Sequence, residues 1–104
     1  MKKPITIILD REYKLVWDFN AMTEFESITG KSAFADLGKE LQKASGVRAI
    51  LFASMLSAGE KVELNKVGSL LTMKDFVSVS EILRSLLDES YGTNEEVETE
   101  EKKQ

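Results

Sequence analysis

The sequence predicts an α+β domain, mainly α: an N-terminal β-hairpin packed on a bundle of about five short helices, with a disordered acidic C-terminal tail. Three observations carry this reading. Ile5, Ile7 and Leu9, then Tyr13, Leu15 and Trp17, alternate with their neighbours at period two. From Asn20 to Tyr91 the apolar residues recur at three-and-four spacing, interrupted by Gly30, Gly46 and Gly59. Residues 92–104 hold five Glu, two Lys and one aliphatic residue, too little apolar surface to offset the entropy of ordering. The expected organisation is one domain over residues 1–91, with the hairpin at 4–18 and helices from 20 to 91, and a tail at 92–104.

Between the two strands, Asp10-Arg11-Glu12 contains neither Gly nor Asn, so a longer type I loop is expected rather than a tight primed turn. A lone two-stranded hairpin is marginal in water, so its apolar face must lean on helices or extend a sheet with another copy. Asn20 is the expected N-cap of the first helix, with Met22, Phe25 and Ile28 on one face and Gly30 as terminator. Ser32 is the expected cap of a second helix carrying Phe34, Leu37, Leu41 and Ala44, stopped by Gly46. Ser45 then caps a third helix, Val47–Ala58, whose only polar residues are Arg48, Ser54 and Ser57. A helix apolar on nearly all sides belongs at the centre of a fold.

A fourth short helix is expected from Leu64 through Leu71, and Thr72-Met73-Lys74-Asp75 fits a capping box for a fifth, longest helix. The stripe of that helix is Phe76, Val79, Ile82, Leu83, Leu86 and Leu87. Gly38 and Gly68 fall inside predicted helices, where each costs about 1 kcal/mol against Ala; close approach of a neighbouring backbone would justify them. The expected core is Phe25, Ile50, Phe52, Met55, Leu56, Phe76 and Leu83. Met22, Met55 and Met73 are read as adaptable core fillers. Trp17, Phe19, Ile82 and Leu86 are the candidate interface residues, since aromatic residues are enriched at binding hot spots and surplus apolar width on a helix marks an association surface.

Composition narrows the chemistry. With no His in the chain, His-based acid–base, triad and His-metal schemes are excluded. With no Cys, disulfides and thiolate metal sites are excluded. Gly30-Lys31-Ser32 resembles the end of a phosphate-binding loop, but the position needing the first Gly is Phe25; the tripeptide reads as a helix stop followed by a cap. The carboxylates, Glu24 and Glu26 among them, fall on outer faces, and no spaced calcium-loop motif occurs. No catalytic, metal or cofactor site is expected.

The formal charge of −4 splits unevenly: 92–104 carry five acids and two bases, leaving thirteen acids and twelve bases on 1–91. That near-neutral body lacks the basic stripe of a nucleic-acid binder. No apolar run reaches the length of a membrane span. The N-terminal apolar stretch alternates and meets Asp10, unlike an export signal. A cytoplasmic location is the expectation.

One block also carries a resemblance. A strand ending in Trp17 leads into Asp18-Phe19-Asn20, a short acidic helix with Phe25-Glu26, then Thr29-Gly30-Lys31-Ser32. A Gly-flanked apolar helix (47–58) and Val67-Gly68-x-Leu70-Leu71 follow. Over roughly residues 4–90 this order resembles the small tail assembly chaperones of long-tailed, siphovirus-type bacteriophages. The resemblance implies a non-enzymatic protein, made in the host cytoplasm, that binds the tape measure protein and the major tail tube protein and leaves before the virion is complete. It carries over no catalytic residue. A chaperone for a long, apolar-striped client needs many weak contacts, which a homo-oligomer supplies by multivalency. The alternatives from other classes are a virion head–tail connector component and a small regulatory or DNA-associated helical adaptor using helices three and four as a helix-turn-helix.

Overall fold

The hairpin comes first. In a computed structural model that describes residues 5–92, β1 (Ile5–Ile8) pairs antiparallel with β2 (Glu12–Leu15) in the register Ile5↔Leu15 to Ile8↔Glu12. The expected tail lies outside the described residues apart from Gly92. Ile7, Tyr13 and Leu15 point inward, joined by Trp17 just past the strand, while Ile8, Glu12 and Lys14 point outward. The connection is tighter than expected. It spans only Leu9–Arg11, closed by a bond from the Leu9 amide to the Arg11 carbonyl (2.9 Å). Asp10 braces it by accepting the Tyr13 hydroxyl at 2.7 Å, a bond that holds the Asp10 carboxyl below its ordinary range.

Glu60 fastens the outer side of β2. Its carboxylate accepts the Lys14 amide (2.8 Å) and the Arg11 guanidinium (3.1 Å), and those two bonds, the amide first, hold its pKa down. Arg11 in turn lies over the Tyr13 ring, 3.9 Å from its centre. One residue further, the Val16 amide donates to the Ser54 carbonyl (3.1 Å).

Five helices follow among the described residues. Helix α1 (Phe19–Thr29) is capped by Asp18, not by Asn20. Asp18 sits in extended backbone and accepts the Ala21 amide at 3.0 Å, leaving Asn20 already inside the first turn. The Ser57 hydroxyl donates to the same carboxylate oxygen. Gly30, at φ +71°, ends the helix in the left-handed region that costs a residue with a Cβ. Burial alone would raise the Asp18 pKa; the bonds from Ser57 and the Ala21 amide outweigh it and bring it below 3.8. Asp18→Ala is therefore expected to cost about 0.5–2 kcal/mol at neutral pH. A carboxyl with a depressed folded pKa contributes fully above its unfolded value and loses that contribution as pH falls through the folded one. The gap between parent and variant in urea melts should thus close below pH 3.8; a gap that persists unchanged there would show that the carboxylate is not its source.

The second helix is shorter than expected. The Ser32 hydroxyl accepts the Phe34 and Ala35 amides, both at 3.0 Å, in a turn, and α2 covers only Leu37–Glu40. The chain then bends through 41–43 and enters α3 (Ala44–Ser57). Gly46, expected as a stop, lies inside α3 instead, with Ser45 beside it rather than at the cap. Its reason is proximity: a Cβ there would sit 1.9 Å from the Glu40 carbonyl oxygen. Glu40 itself is buried and paired with Lys43 at 2.9 Å.

Helix α3 is the centre of the fold, buried at Gly46, Val47 and Ala49 through Met55. Helix α1, β2, α2 and α4 (Leu64–Leu70) all pack on it. Thr72 spends its hydroxyl on the Asp75 carboxylate (2.8 Å), so the expected capping box gives way to a single 3-10 turn, Met73–Asp75, before α5 (Phe76–Ser90). Gly68 accommodates a side chain rather than a backbone, since its missing Cβ leaves room for the Arg48 stem; around Gly38 the space is open.

Of the expected core, Phe25, Ile50, Phe52, Met55 and Leu83 are buried. Leu56 is half-buried and packs against that cluster. Phe76 is a correction: it is 39% exposed, because the first turn of α5 precedes Val79, the first residue of that helix to be buried.

Candidate functional site

The described residues gather no group of three or more Asp and Glu able to hold a metal ion, and none of their helices is long and apolar enough to cross a membrane. What the surface offers instead is apolar area. An open groove of about 920 Å³ runs between the start of α3, α4 and the start of α5. Val47, Leu71, Met73 and Phe76 give it apolar walls, with Ser45, Arg48, Asn65, Ser69 and Thr72 as the polar residues. Met73 is 96% exposed, and Val77 follows on the next turn, also exposed. Exposed large apolar side chains that share one neighbourhood are the informative kind, whereas single ones are ordinary.

The geometry follows from local sequence. The Asp75 amide bonds the Thr72 carbonyl (3.1 Å) in the 3-10 turn, the Thr72 hydroxyl bonds the Asp75 carboxylate across it, and Met73 between them stands clear of the body. Gly68 lets Arg48 lie flat along α4, so its stem contributes apolar surface while its charge stays at the wall.

A second apolar patch surrounds the start of α1. Phe19 and Phe34 are both exposed, with ring centres 6.3 Å apart, and Phe34 meets the Tyr91 ring edge-on at 5.6 Å. Beneath it the Tyr91 hydroxyl accepts the Trp17 indole N–H (2.9 Å) and donates to the Ala33 carbonyl. Burial pushes the Tyr91 hydroxyl pKa up. This small network ties the end of α5 to β2 and to the turn after α1.

The four expected interface residues separate. Phe19 is at the surface, in the patch just described. Ile82 is half-buried beside β1. Trp17 and Leu86 are corrections, each 4% exposed. Trp17 packs its ring against Phe25 at 5.9 Å and 67° and satisfies its N–H inside, so it anchors the fold and not a partner. Leu86 faces the core along with Val79, Leu83 and Leu87, because a stripe one residue in three or four wide turns only one side inward. Phe34 and Val77 are surface apolar residues that the sequence reading missed, and Met73, expected as a core filler, is a correction at 96% exposed. Phe34 was expected on a helix that is a turn here. Met73 lay in a capping segment outside the α5 stripe, and that displacement was the available signal. No protein-family model matches the chain, and neither a curated protein nor a solved structure matches it.

Proposed function

We propose that the protein is a non-enzymatic tail assembly chaperone of a long-tailed bacteriophage, acting in the host cytoplasm on the tape measure protein and tail tube subunits. The observation that carries the reading on the structural side is the groove rimmed by exposed Met73 and Phe76. An amphipathic helix lays its apolar face into such a groove, and a methionine at the rim adapts to successive, non-identical segments of a long client. Arg48 on the wall suits an acidic residue flanking the client's apolar stripe.

The sequence motifs from Asp18 to Leu71 supply the family side of the reading. Against the DNA-associated alternative stands the near-neutral charge of residues 1–91, thirteen acids against twelve bases, which leaves no basic stripe to neutralise phosphates.

The test is co-expression with a tape measure protein from the same genome. The client is expected to stay soluble and to co-purify with the chain. Met73→Glu together with Phe76→Glu should weaken that association by at least about tenfold, the ~1.4 kcal/mol that losing one well-buried apolar contact represents. Purified virions should lack the chain. A client that aggregates equally with and without it, or an abundant copy in finished particles, would sink the proposal.

A further inference from the structure

The two edges of the hairpin are unequal. On the β2 side the outward amide of Lys14 is taken up by the Glu60 carboxylate, that of Val16 just past the strand by the Ser54 carbonyl, and the Glu12 carbonyl by the Arg11 guanidinium. On β1 the ladder alternates: Leu9 bonds Arg11 directly, so Ile7 and Ile5 bond their partners, and Thr6 and Ile8 turn their N–H and C=O groups outward. No hydrogen bond among the described residues takes up those groups. Beside this edge lies an open recess of about 530 Å³, bounded by Ile7–Asp10 on one side and by Leu70, Val79 and Ile82 on the other.

Edge strands are ordinarily protected by a charge, a proline, a bulge or a covering loop. Strand β1, Ile-Thr-Ile-Ile, has no charged residue and no proline, and Ile8 is 75% exposed. From this combination we infer that the β1 edge is a homodimer interface, in which β1 pairs antiparallel with β1 of a second copy about a two-fold axis at Ile7.

The register is dictated by the strand itself. With the axis at Ile7, Thr6 of one copy faces Ile8 of the other and Ile8 faces Thr6. Those are the two residues whose backbone groups point outward, so each pair exchanges two hydrogen bonds. Ile7 faces Ile7, and no like charges meet, which is the cross-strand environment that β-branched side chains favour. The result is a four-stranded sheet in the order β2-β1-β1-β2. Because Glu60 and Ser54 close the outer edge of β2, strand addition stops there. The interface is isologous and closed, and yields a dimer rather than a filament. The pairing is a property of the chain alone and does not depend on the proposed client.

Sedimentation or light scattering of the full chain across a concentration series should show a dimer mass. Thr6→Pro removes an outward N–H, a change that edge strands tolerate, and should give a monomer with unchanged circular dichroism. Ile8→Lys should do the same. The register has its own test, since the chain has no cysteine. Paired residues in a hydrogen-bonded antiparallel position stand about 5.5 Å apart at Cα, within disulfide reach. Oxidation should therefore cross-link a mixture of Thr6→Cys and Ile8→Cys proteins far more than either protein alone. A monomeric mass up to about 1 mM, the weak limit of specific association, would overturn the inference. So would a dimer that survives both Thr6→Pro and Ile8→Lys, or a mixture that cross-links no better than its components.

Discussion

Gly46→Ala is expected to destabilise the protein by about 1–2 kcal/mol net, although alanine is the better helix former. In an exposed helix interior the same substitution stabilises by roughly 1 kcal/mol. Here the new Cβ would lie 1.9 Å from the Glu40 carbonyl oxygen and 2.5 Å from its carbon. Both are backbone atoms, and they cannot step aside as the end of a flexible side chain can. Relief would require moving α2 away from α3, which opens contacts around buried Glu40 and Leu41. Overpacking that forces a backbone shift costs 1–3 kcal/mol and at times more, and the propensity gain of ~1 kcal/mol is too small to reverse the sign. Gly38 is the internal control. It is helical, and a Cβ added to it meets nothing within 4 Å, so Gly38→Ala should stabilise by about 0.5–1 kcal/mol. Urea denaturation of the two variants reads both signs. A stable Gly46→Ala protein would mean that α2 and α3 do not approach as closely as the structure has them.

The same glycine shows where sequence reasoning succeeds and where it stops. The hairpin was legible because period-two alternation in residues 5–17 has no helical interpretation. The central helix was legible because 47–58 is apolar on nearly every side. Helix ends were less so. Asn20 and Asp18 are both good caps, and the choice between them rests on Ser57, thirty-nine positions away, which donates to Asp18. Gly46 reads as a stop from its type alone; only the fold reveals that α2 ends at Glu40 and that the chain returns against Glu40's carbonyl. Thr72 reads as a cap by spacing, yet its hydroxyl donates to the Asp75 carboxylate and accepts no backbone amide of the turn.

The surface residues were the least legible. Whether Phe76 or Leu86 faces the core depends on how far α5 extends beyond its neighbours. Both sit on one stripe, and periodicity assigns a face, not a depth. The outward groups of β1 were invisible for a different reason. Strand alternation tells which side chains point in, while the edge that stays open depends on Glu60 and Ser54, which reach β2 from the far end of α3 and the turn after it.

Phe25→Ala is the second large effect, and Phe76→Ala is its matched counterpart. The two residues lie in helices, were both expected in the core, and differ in surroundings. Phe25 is fully buried, with its ring edge-on to Trp17 at 5.9 Å. Removing it leaves a cavity beneath the indole, and a phenylalanine truncation of this kind costs about 3–5 kcal/mol. A domain near 100 residues has only about 5–15 kcal/mol in hand, so the variant should be close to unfolding at 37 °C. Loss should also be visible at Trp17, whose fluorescence reports the packing around it. Phe76 is 39% exposed at the mouth of the groove, where truncation leaves an open surface that water fills without creating a void. Its stability cost should stay below about 1 kcal/mol, within reach of ordinary surface substitutions, while its effect falls on client binding. Thermal melts of the two variants, with tryptophan fluorescence alongside, separate packing from function. Equal losses would place Phe76 in the core after all and remove the groove as a binding surface; a Phe25→Ala protein that melts like the parent would remove α1 from the core.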